Sequence, residues 1–324
     1  MSTHDATLAR ETPGTADGVR AGTPPPTPTP TVAATVAATV AATVAATGAR
    51  PDTRRLAPAL RLVTSELGLT FRRPRNLAML GVLAVVPCII GVAVRLAADE
   101  IDVSFIAQVT GNGFLLAFAA FFVMLPFMLP VTVSMVAGDA IAGEAAQGTL
   151  RYLLAAPAGR TRLLAVKYVN VVVFCLAACT VVALSALAAG AVLFPVGPVT
   201  LLSGTTIPVG EALSRLGLVV LYLAVGLAAL GAVALAISTM TEAPIGAVAA
   251  SVVLVVIADI LGAIPQLSAI HPYLLPSRWS AFAGALRDPM ALDEMGQGLL
   301  TFGAYVAIFG AVAWSRFTSK DITA

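Results

Sequence analysis

Residues 138–167 read GDAIAGEAAQGTLRYLLAAPAGRTRLLAVK, and this polar segment separates two long apolar runs of the chain. Gly148 interrupts the segment, Thr149 can cap a short helix, and Pro157 with Gly159 ends that helix. The leucines at helical spacing on its face are Leu150, Leu153 and Leu154. The segment is too polar to span a membrane, so it predicts either a docking helix for a soluble partner or a helix that lies on lipid.

The chain around this segment has the composition of a polytopic membrane protein. Of its 324 residues, 58% are hydrophobic and 11% are charged, and the mean hydropathy is +0.93. A soluble protein of this length cannot hide so much apolar surface, because its outside must be wet. The composition therefore excludes an ordinary soluble enzyme. The cysteines lie in apolar runs without a CxxC motif, so we expect neither a metal site nor a disulfide framework.

Hydropathy predicts an all-α integral membrane protein with six transmembrane helices. A bilayer core requires about 20 apolar residues of helix. Suitable runs lie at about 77–97, 114–137, 165–193, 214–239, 243–264 and 295–316. We therefore expect a six-span domain at 77–317, followed by a short terminal segment at 318–324. Pro126 and Pro130 should kink the second span.

The distribution of basic residues predicts the orientation of these spans. Six spans place both termini on one side of the membrane. The N-terminal region, the segment 138–167 and the C-terminus hold 15 of the 19 Lys and Arg residues. The remaining four, on the other side, are Arg95, Arg215, Arg278 and Arg287. The positive-inside rule therefore predicts a multi-pass protein of the cell membrane with both termini in the cytoplasm.

Residues 1–52 form a separate, low-complexity zone. Gly22–Pro30 reads GTPPPTPTP, and four copies of TVAA follow from Thr31 to Ala46. Residues 31–49 carry no charge but also no Leu, Ile or Phe, which drive membrane insertion. We therefore predict a disordered tail. A cleaved signal peptide is the alternative interpretation.

Residues 53–76 are predicted to form an amphipathic helix before the first span. Within the stretch 58–73, four apolar residues share one helical face: Leu60, Val63, Leu67 and Phe71. Such a helix lies along the membrane surface with its arginines toward lipid phosphates. The alternative is a simple anchor segment for the first span.

The polar segment resembles the GE…GTL..LL..P..R..L…K signature of ABC-2-type transporter permeases. The matching residues are Gly143, Glu144, Gly148, Thr149, Leu150, Leu153, Leu154, Pro157, Arg160, Leu163 and Lys167. In that family the loop joins the second and third spans, which is where the span prediction places it here. The resemblance covers roughly residues 58–317. Members often carry a more charged stretch after the glutamate, where this chain has Ala145-Ala146-Gln147.

The resemblance implies the permease subunit of an ATP-binding cassette exporter. Its expected partners are membrane lipid, a second permease subunit in a homodimer or heterodimer, and an ABC ATP-binding subunit, with no nucleic acid. The implied coupling residues toward the ATPase are Glu144, Gly148, Thr149, Leu150, Leu153, Leu154, Pro157 and Arg160. The chain has only two lysines, Lys167 and Lys320, and neither lies in GxxxxGK[ST]. We therefore expect no enzyme activity and no cofactor in this chain, since ATP and Mg would bind the partner.

Asp259 is the acidic residue inside the apolar run VVLVVIADILGAI at 252–264. A carboxylate in a span is a candidate for the transport pathway or a gate. It lies near one end of the fifth span, however, where an interfacial role is the alternative.

Two other functions of the chain are open. A secondary transporter driven by an ion gradient would have several buried charges and paired broken helices, and a scaffold or assembly factor could use the same docking loop without transport.

Overall fold

The computed structural model describes residues 53–97, 109–148, 159–201 and 203–319, with side chains from residue 62 onward. The tail at 1–52 and most of the predicted coupling helix, at 149–158, lie outside the described residues. The chain divides into two units, Met1–Arg55 and Leu56–Ala324. Of the first unit only the beginning of one helix is described, and the architecture below is that of the second unit.

The described part of the chain is mostly helical. Its helices are α1 (Thr53–Arg72), α2 (Pro74–Ala97), α3 (Leu115–Met124), α4 (Met128–Ala146), α5 (Arg160–Leu193), α6 (Val209–Met240), α7 (Pro244–Gly262), α8 (Leu275–Trp279) and α9 (Leu292–Ser319). Between α5 and α6, the two-residue strands β1 (Val199–Thr200) and β2 (Thr206–Ile207) form an antiparallel hairpin. The all-α prediction did not include this hairpin. Short 3₁₀ segments at Pro265–Leu267, His271–Tyr273 and Ser280–Leu286 lie between α7 and α9.

Among the described residues, five helices are long and apolar enough to cross a membrane, namely α2, α5, α6, α7 and α9. The pair α3 and α4 makes a sixth if it counts as one span, bent by 60° at residues 125–127. Pro126 lies at this break and Pro130 in the first turn of α4, and neither ring nitrogen can donate to a helical hydrogen bond. The bend therefore lies at the position where the two prolines predict a kink. Most helices run a few residues beyond the predicted spans, because polar residues at their ends continue the helix.

Helix α6 lies at the centre of the bundle and packs against α4, α5 and α9. Small residues on α6 allow this approach: a Cβ at Gly226 would lie within 3 Å of Trp279 and Phe302. Helix α2 packs against α5, and α7 packs against α4. Large apolar side chains such as Ile89 of α2, Ile245 of α7 and Leu300 of α9 remain exposed. An exposed apolar rim around a small-residue centre is the arrangement expected of helices in lipid.

The end of α5 and the turn before α3 approach each other through two glycines. A Cβ added to Gly113 would collide with the backbone of Gly190, and the reverse also holds. The amide of Gly113 donates to the carbonyl of Pro195 at 3.0 Å. Only glycine at both positions permits this backbone contact.

Two polar regions lie at opposite ends of the helices. The α1 end contains α1, the beginnings of α2 and α5, and the ends of α4, α6 and α9. The hairpin end contains the ends of α2 and α5, the β-hairpin, the beginning of α6, and residues 263–291. Helix α5 alone has 34 residues, about 50 Å at 1.5 Å per residue, so the two ends are far apart.

Candidate functional site

Lys167 of α5 is the centre of a cluster of ionic side chains at the α1 end. Its side chain is 4% exposed and lies between two carboxylates. The Nζ atom donates to Oε1 of Glu144 at 2.5 Å and lies 3.7 Å from Oε2 of Glu66. A buried ammonium group requires such partners, because its desolvation is otherwise too costly. The contacts join α1, α4 and α5.

A second ionic contact lies beside this cluster. One oxygen of Asp139, on α4, accepts from Nη1 of Arg73 at 3.2 Å and from Nη2 of Arg75 at 2.9 Å. Both arginine side chains are 50% exposed, whereas that of Asp139 is 16% exposed. The two arginines flank the break between α1 and α2, so Asp139 fixes that junction against α4.

Two buried asparagines complete the site. Nδ2 of Asn76 donates to the carbonyl of Thr70 at 2.9 Å, and Nδ2 of Asn170 donates to Oγ1 of Thr70 at 2.6 Å. The Oδ1 atoms of both asparagines are buried without a hydrogen-bond partner among the described residues. Asn170 therefore forms a hydrogen bond between α5 and α1.

These side chains line a cavity of about 50 Å³. The charged lining residues are three acids and three bases, namely Glu66, Asp139, Glu144, Arg73, Arg75 and Lys167. Formal charges in the cavity therefore balance. A cavity of this size and polarity is large enough for ordered water.

The polar segment 138–167 leaves and re-enters the bundle at this site. Gly148 and Gly159 bracket its central part with φ values of +66° and +72°, a conformation that favours glycine. The amide of Gly148 donates to the carbonyl of Ala145 at 3.0 Å and closes α4. Arg160, at the first position of α5, donates from Nη1 to the carbonyl of Thr318 in α9 at 2.9 Å.

The structure thus describes three of the predicted coupling residues. Glu144 is brought to Lys167, Gly148 ends the last turn of α4, and Arg160 is brought to the end of α9. The other five, Thr149, Leu150, Leu153, Leu154 and Pro157, lie outside the described residues.

Ser238 of α6 fixes the end of α4 that carries these acids. Its buried Oγ donates to the carbonyl of Gly138 at 2.7 Å and accepts from the amides of Ala142 and Ile141 at 2.9 and 3.2 Å. The serine therefore enters the hydrogen-bond ladder of α4 itself. On the adjacent side, a Cβ at Gly138 would lie 3.1 Å from the amide nitrogen of Val248. The last turns of α4 are held between α6 and α7.

Asp259 lies away from this site, one turn before the end of α7 at the hairpin end. Its side chain is half-buried, and it makes no hydrogen bond or ion pair with any residue that the structure describes. The position near the end of the helix agrees with the sequence prediction, while its role as a pathway or gating residue remains a hypothesis. The structure does not bring Asp259 together with the predicted coupling residues.

Sequence reasoning missed most of the polar side chains that surround Lys167. No contact was assigned from the sequence to Glu66, Arg73, Arg75 or Asp139, and Lys167 was named as the last residue of the loop signature. One signal could have found the cluster: Lys167 precedes a long apolar run, and a basic residue inside a span requires an acidic partner on another helix.

Comparison with known protein families matches residues 84–323 to DUF2705, described as "Protein of unknown function". The match covers most of α2 and continues through the end of α9, so that α4 and α5 lie inside it and α1 lies outside. A comparison with curated proteins finds no match.

Proposed function

We propose that this chain, which belongs to the DUF2705 family of proteins of unknown function, is the permease subunit of an ABC-2-type transporter. In this proposal it exports a substrate across the cytoplasmic membrane. ATP is hydrolysed on a separate ABC subunit, and a second permease subunit, identical or related, completes the transport pathway. Both termini lie in the cytoplasm, on the side where the basic residues concentrate.

The observation that carries the proposal is the contact between Glu144 and Lys167. These two residues of the loop signature are 23 positions apart and flank the segment expected to dock on the ATPase. Their ion pair closes the base of that loop, and Glu66 extends the contact to α1. A loop held in this way can transmit a displacement to three helices, because coupling requires contiguous and stiff contacts.

Two further contacts support the same role. Arg160 ties the beginning of α5 to the end of α9, and Ser238 ties the end of α4 to α6. The two sides of the loop are therefore linked to α9 and to α6, the central helix of the bundle. A displacement of the loop can therefore reach α6 and α9 through direct protein contacts.

The test is purification of the tagged chain from its own host in mild detergent. We expect a stoichiometric P-loop ATPase to accompany the wild-type chain and to be lost in Leu153→Asp, since a carboxylate cannot enter an apolar groove at low cost. Ser203→Asp is the matched control: it adds the same charge in the exposed turn of the β-hairpin and should retain the ATPase.

Retention of the ATPase by Leu153→Asp would refute the docking assignment of the loop. If no ATPase accompanies the wild-type chain even after cross-linking, the proposed function itself is wrong.

One observation favours the second candidate, a secondary transporter driven by an ion gradient. The α3–α4 pair is a broken span, and broken helices form ion sites in such proteins. The break is made of Leu125, Pro126 and Phe127, however, whose side chains carry no charge to pair with an ion, so an ion there would depend on backbone carbonyls alone. Transport into proteoliposomes separates the candidates. Dependence on ATP without a gradient supports the permease, dependence on a gradient without ATP supports the secondary transporter, and no transport by the complete assembly supports a scaffold.

A further inference from the structure

A groove between α7 and α9 lies on the outer surface of the bundle. Its volume is about 500 Å³. Leu254, Ile257 and Leu261 of α7 line one side at helical spacing, and Ala304 and Ile308 of α9 line the other. Ile257 and Ile308 are 51% and 59% exposed, so the groove is open along its length. Its volume is that of a site for a small molecule, and its lining is apolar.

Two aromatic rings of α9 form a fixed part of this lining. Tyr305 and Phe309 stack with 5.8 Å between their ring centroids. The hydroxyl of Tyr305 donates to the backbone carbonyl of Tyr273, between α7 and α8, at 3.0 Å. Because this hydrogen bond already uses the hydroxyl proton, the ring offers mainly apolar surface to the groove.

Arg278 of α8 lies at the hairpin end of the groove. Its Nε donates to the carbonyl of Pro272 at 2.8 Å, and its Nη1 lies 3.4 Å from Oε1 of Gln297. Pro272 directly precedes Tyr273, and Gln297 lies one turn before Thr301 in α9, and both of these neighbours line the groove. A guanidinium group has five N–H donors, so Nη2 keeps two donors that have no partner among the described residues.

The charge of Arg278 is not compensated by a carboxylate. Within the part of the chain that the structure describes, Arg278 forms no ion pair, whereas Arg215 and Arg287 lie beside Glu211 and Glu294. The residues that line the groove are also uncharged. An anionic group at this end of the groove would therefore meet an unpaired cation with free N–H donors.

One cation at the end of an apolar groove selects an amphiphile with an anionic head. Both α7 and α9 are long and apolar enough to cross a membrane, so the open side of the groove faces lipid. A second copy of the chain on the same surface would bring only the same uncharged lining, because a twofold contact pairs a patch with itself. A phospholipid supplies the apolar chain and the anion together.

We propose that this groove binds one anionic phospholipid, with an acyl chain along α7 and α9 and the phosphate at Arg278. The lipid belongs to the leaflet at the hairpin end, since Arg278 lies there. This site does not depend on the proposed transport function, and its test requires no ATPase.

The test compares phosphatidylglycerol with phosphatidylcholine of identical acyl chains. Phosphatidylglycerol has a net negative charge, whereas the choline group neutralises the phosphate of phosphatidylcholine. We expect the full chain to retain phosphatidylglycerol about fivefold more strongly, the effect of one basic residue beside an anionic lipid. Native mass spectrometry of the chain, released from nanodiscs with equal amounts of both lipids, measures the ratio. Equal retention would show that bulk lipid covers the groove and would overturn the proposal.

Variants of Arg278 test the headgroup contact. Arg278→Gln should abolish the preference for phosphatidylglycerol, and Arg278→Lys, which keeps the charge, should retain most of it. Arg287→Gln is the matched control: it removes the same charge at the hairpin end, from a side chain that is exposed and lies 4.0 Å from Glu294, and should leave the preference unchanged. Equal losses in Arg278→Gln and Arg287→Gln would indicate a general charge effect and refute the site.

Variants of α9 test the position of the acyl chain. Ala304→Phe fills the groove and should remove most of the retained phosphatidylglycerol. Ala307→Phe adds the same ring to an exposed position of α9 that does not line the groove, and should retain the lipid. Unchanged retention in Ala304→Phe would show that no acyl chain lies in the groove. Release of the wild-type chain without lipid, as a dimer that Ala304→Phe dissociates, would assign the surface to a second copy and likewise refute the proposal.

Discussion

The two ends of the bundle organise their polar groups in different ways. At the α1 end, charged side chains pair with charged side chains: Lys167 with Glu66 and Glu144, and Asp139 with Arg73 and Arg75. At the hairpin end, long polar side chains donate mainly to backbone carbonyls. The two ends therefore differ in whether an acceptor has another partner when one contact is lost.

The contacts at the hairpin end hold helix ends, short helices and the segments between them. Arg95 donates to the carbonyl of Leu193 at 2.6 Å, and Tyr222 donates to that of Arg278 at 2.6 Å. Arg215 donates from Nη1 to the carbonyls of Ala285 and Arg287 at 3.2 and 2.8 Å. Nδ2 of Asn112 likewise donates to the carbonyls of Gly197 and Pro198 at 3.0 and 2.9 Å.

The comparison indicates which end loses more stability when one polar contact is removed. At the α1 end the charged groups have a second partner or border a cavity that can hold water. A carbonyl at the hairpin end that accepts from a single side chain has no such substitute, so the loss of its partner leaves an unsatisfied group. We infer that the hairpin end is a frame that depends on each of its contacts more strongly than the α1 end does.

The largest expected effect is that of Arg215→Met, which would break the frame. The substitution removes a buried donor to two carbonyls and to Glu211, whose Oε1 lies 2.6 Å from Nη2. We expect the free energy of unfolding to fall by about 3 kcal/mol. Titration with a denaturing detergent, followed by circular dichroism, measures the change.

The control for this substitution is Arg287→Met. Its side chain is exposed and lies 4.0 Å from Glu294, so its loss should cost no more than about 1 kcal/mol. Equal effects of the two substitutions would show that Arg215 does not hold the loop.

A smaller effect is expected from the ionic cluster of the α1 end. Lys167→Met should lower the free energy of unfolding by about 2 kcal/mol, less than Arg215→Met, because the two freed carboxylates line a cavity that admits water. Combined with Glu144→Gln, the double variant should lose less than the sum of the single losses, with a coupling of about 1 kcal/mol. The same detergent titration on all four chains gives the coupling. Strict additivity would mean that the pair does not interact in the membrane.

The smallest effect compares two buried serines near the α1 end. Ser238→Ala removes three hydrogen bonds to α4 and should cost about 1 kcal/mol. Ser134→Ala should change stability by less than about 0.5 kcal/mol, since its Oγ has no partner among the described residues. Hydrogen exchange should become faster across residues 139–147 in Ser238→Ala only. Unchanged exchange there would show that α4 does not need the serine.

Local patterns in the sequence predicted the helices better than the contacts between them. The spans followed from uninterrupted apolar runs, and the kink from Pro126 and Pro130. Arg215 was counted with loop residues on its charge alone. The structure shows it buried in α6, where it donates to carbonyls 70 and 72 positions further along the chain. A local sequence pattern does not predict contacts between residues so far apart in the chain.

The site shows the same division between local and distant information. The loop signature selected Glu144 and Lys167 on resemblance, and the structure brings them together. No partner was assigned to Glu66, because its approach to Lys167 depends on how α1 packs against α5. Phe71 and Phe174 form part of that packing, with 6.1 Å between their ring centroids. A single sequence does not fix the packing of two helices that lie so far apart in the chain.

The contact between Gly113 and Gly190 has a consequence for biosynthesis. In α3, eight of ten residues are buried, and α5 supplies much of the surface that covers them. Gly190 is synthesised 77 residues after Gly113 (190 minus 113), which corresponds to roughly 4–15 s at about 5–20 residues per second. During that interval α3 lacks its final neighbour. The machinery that synthesises and inserts the chain must therefore accommodate α3 until α5 has been made.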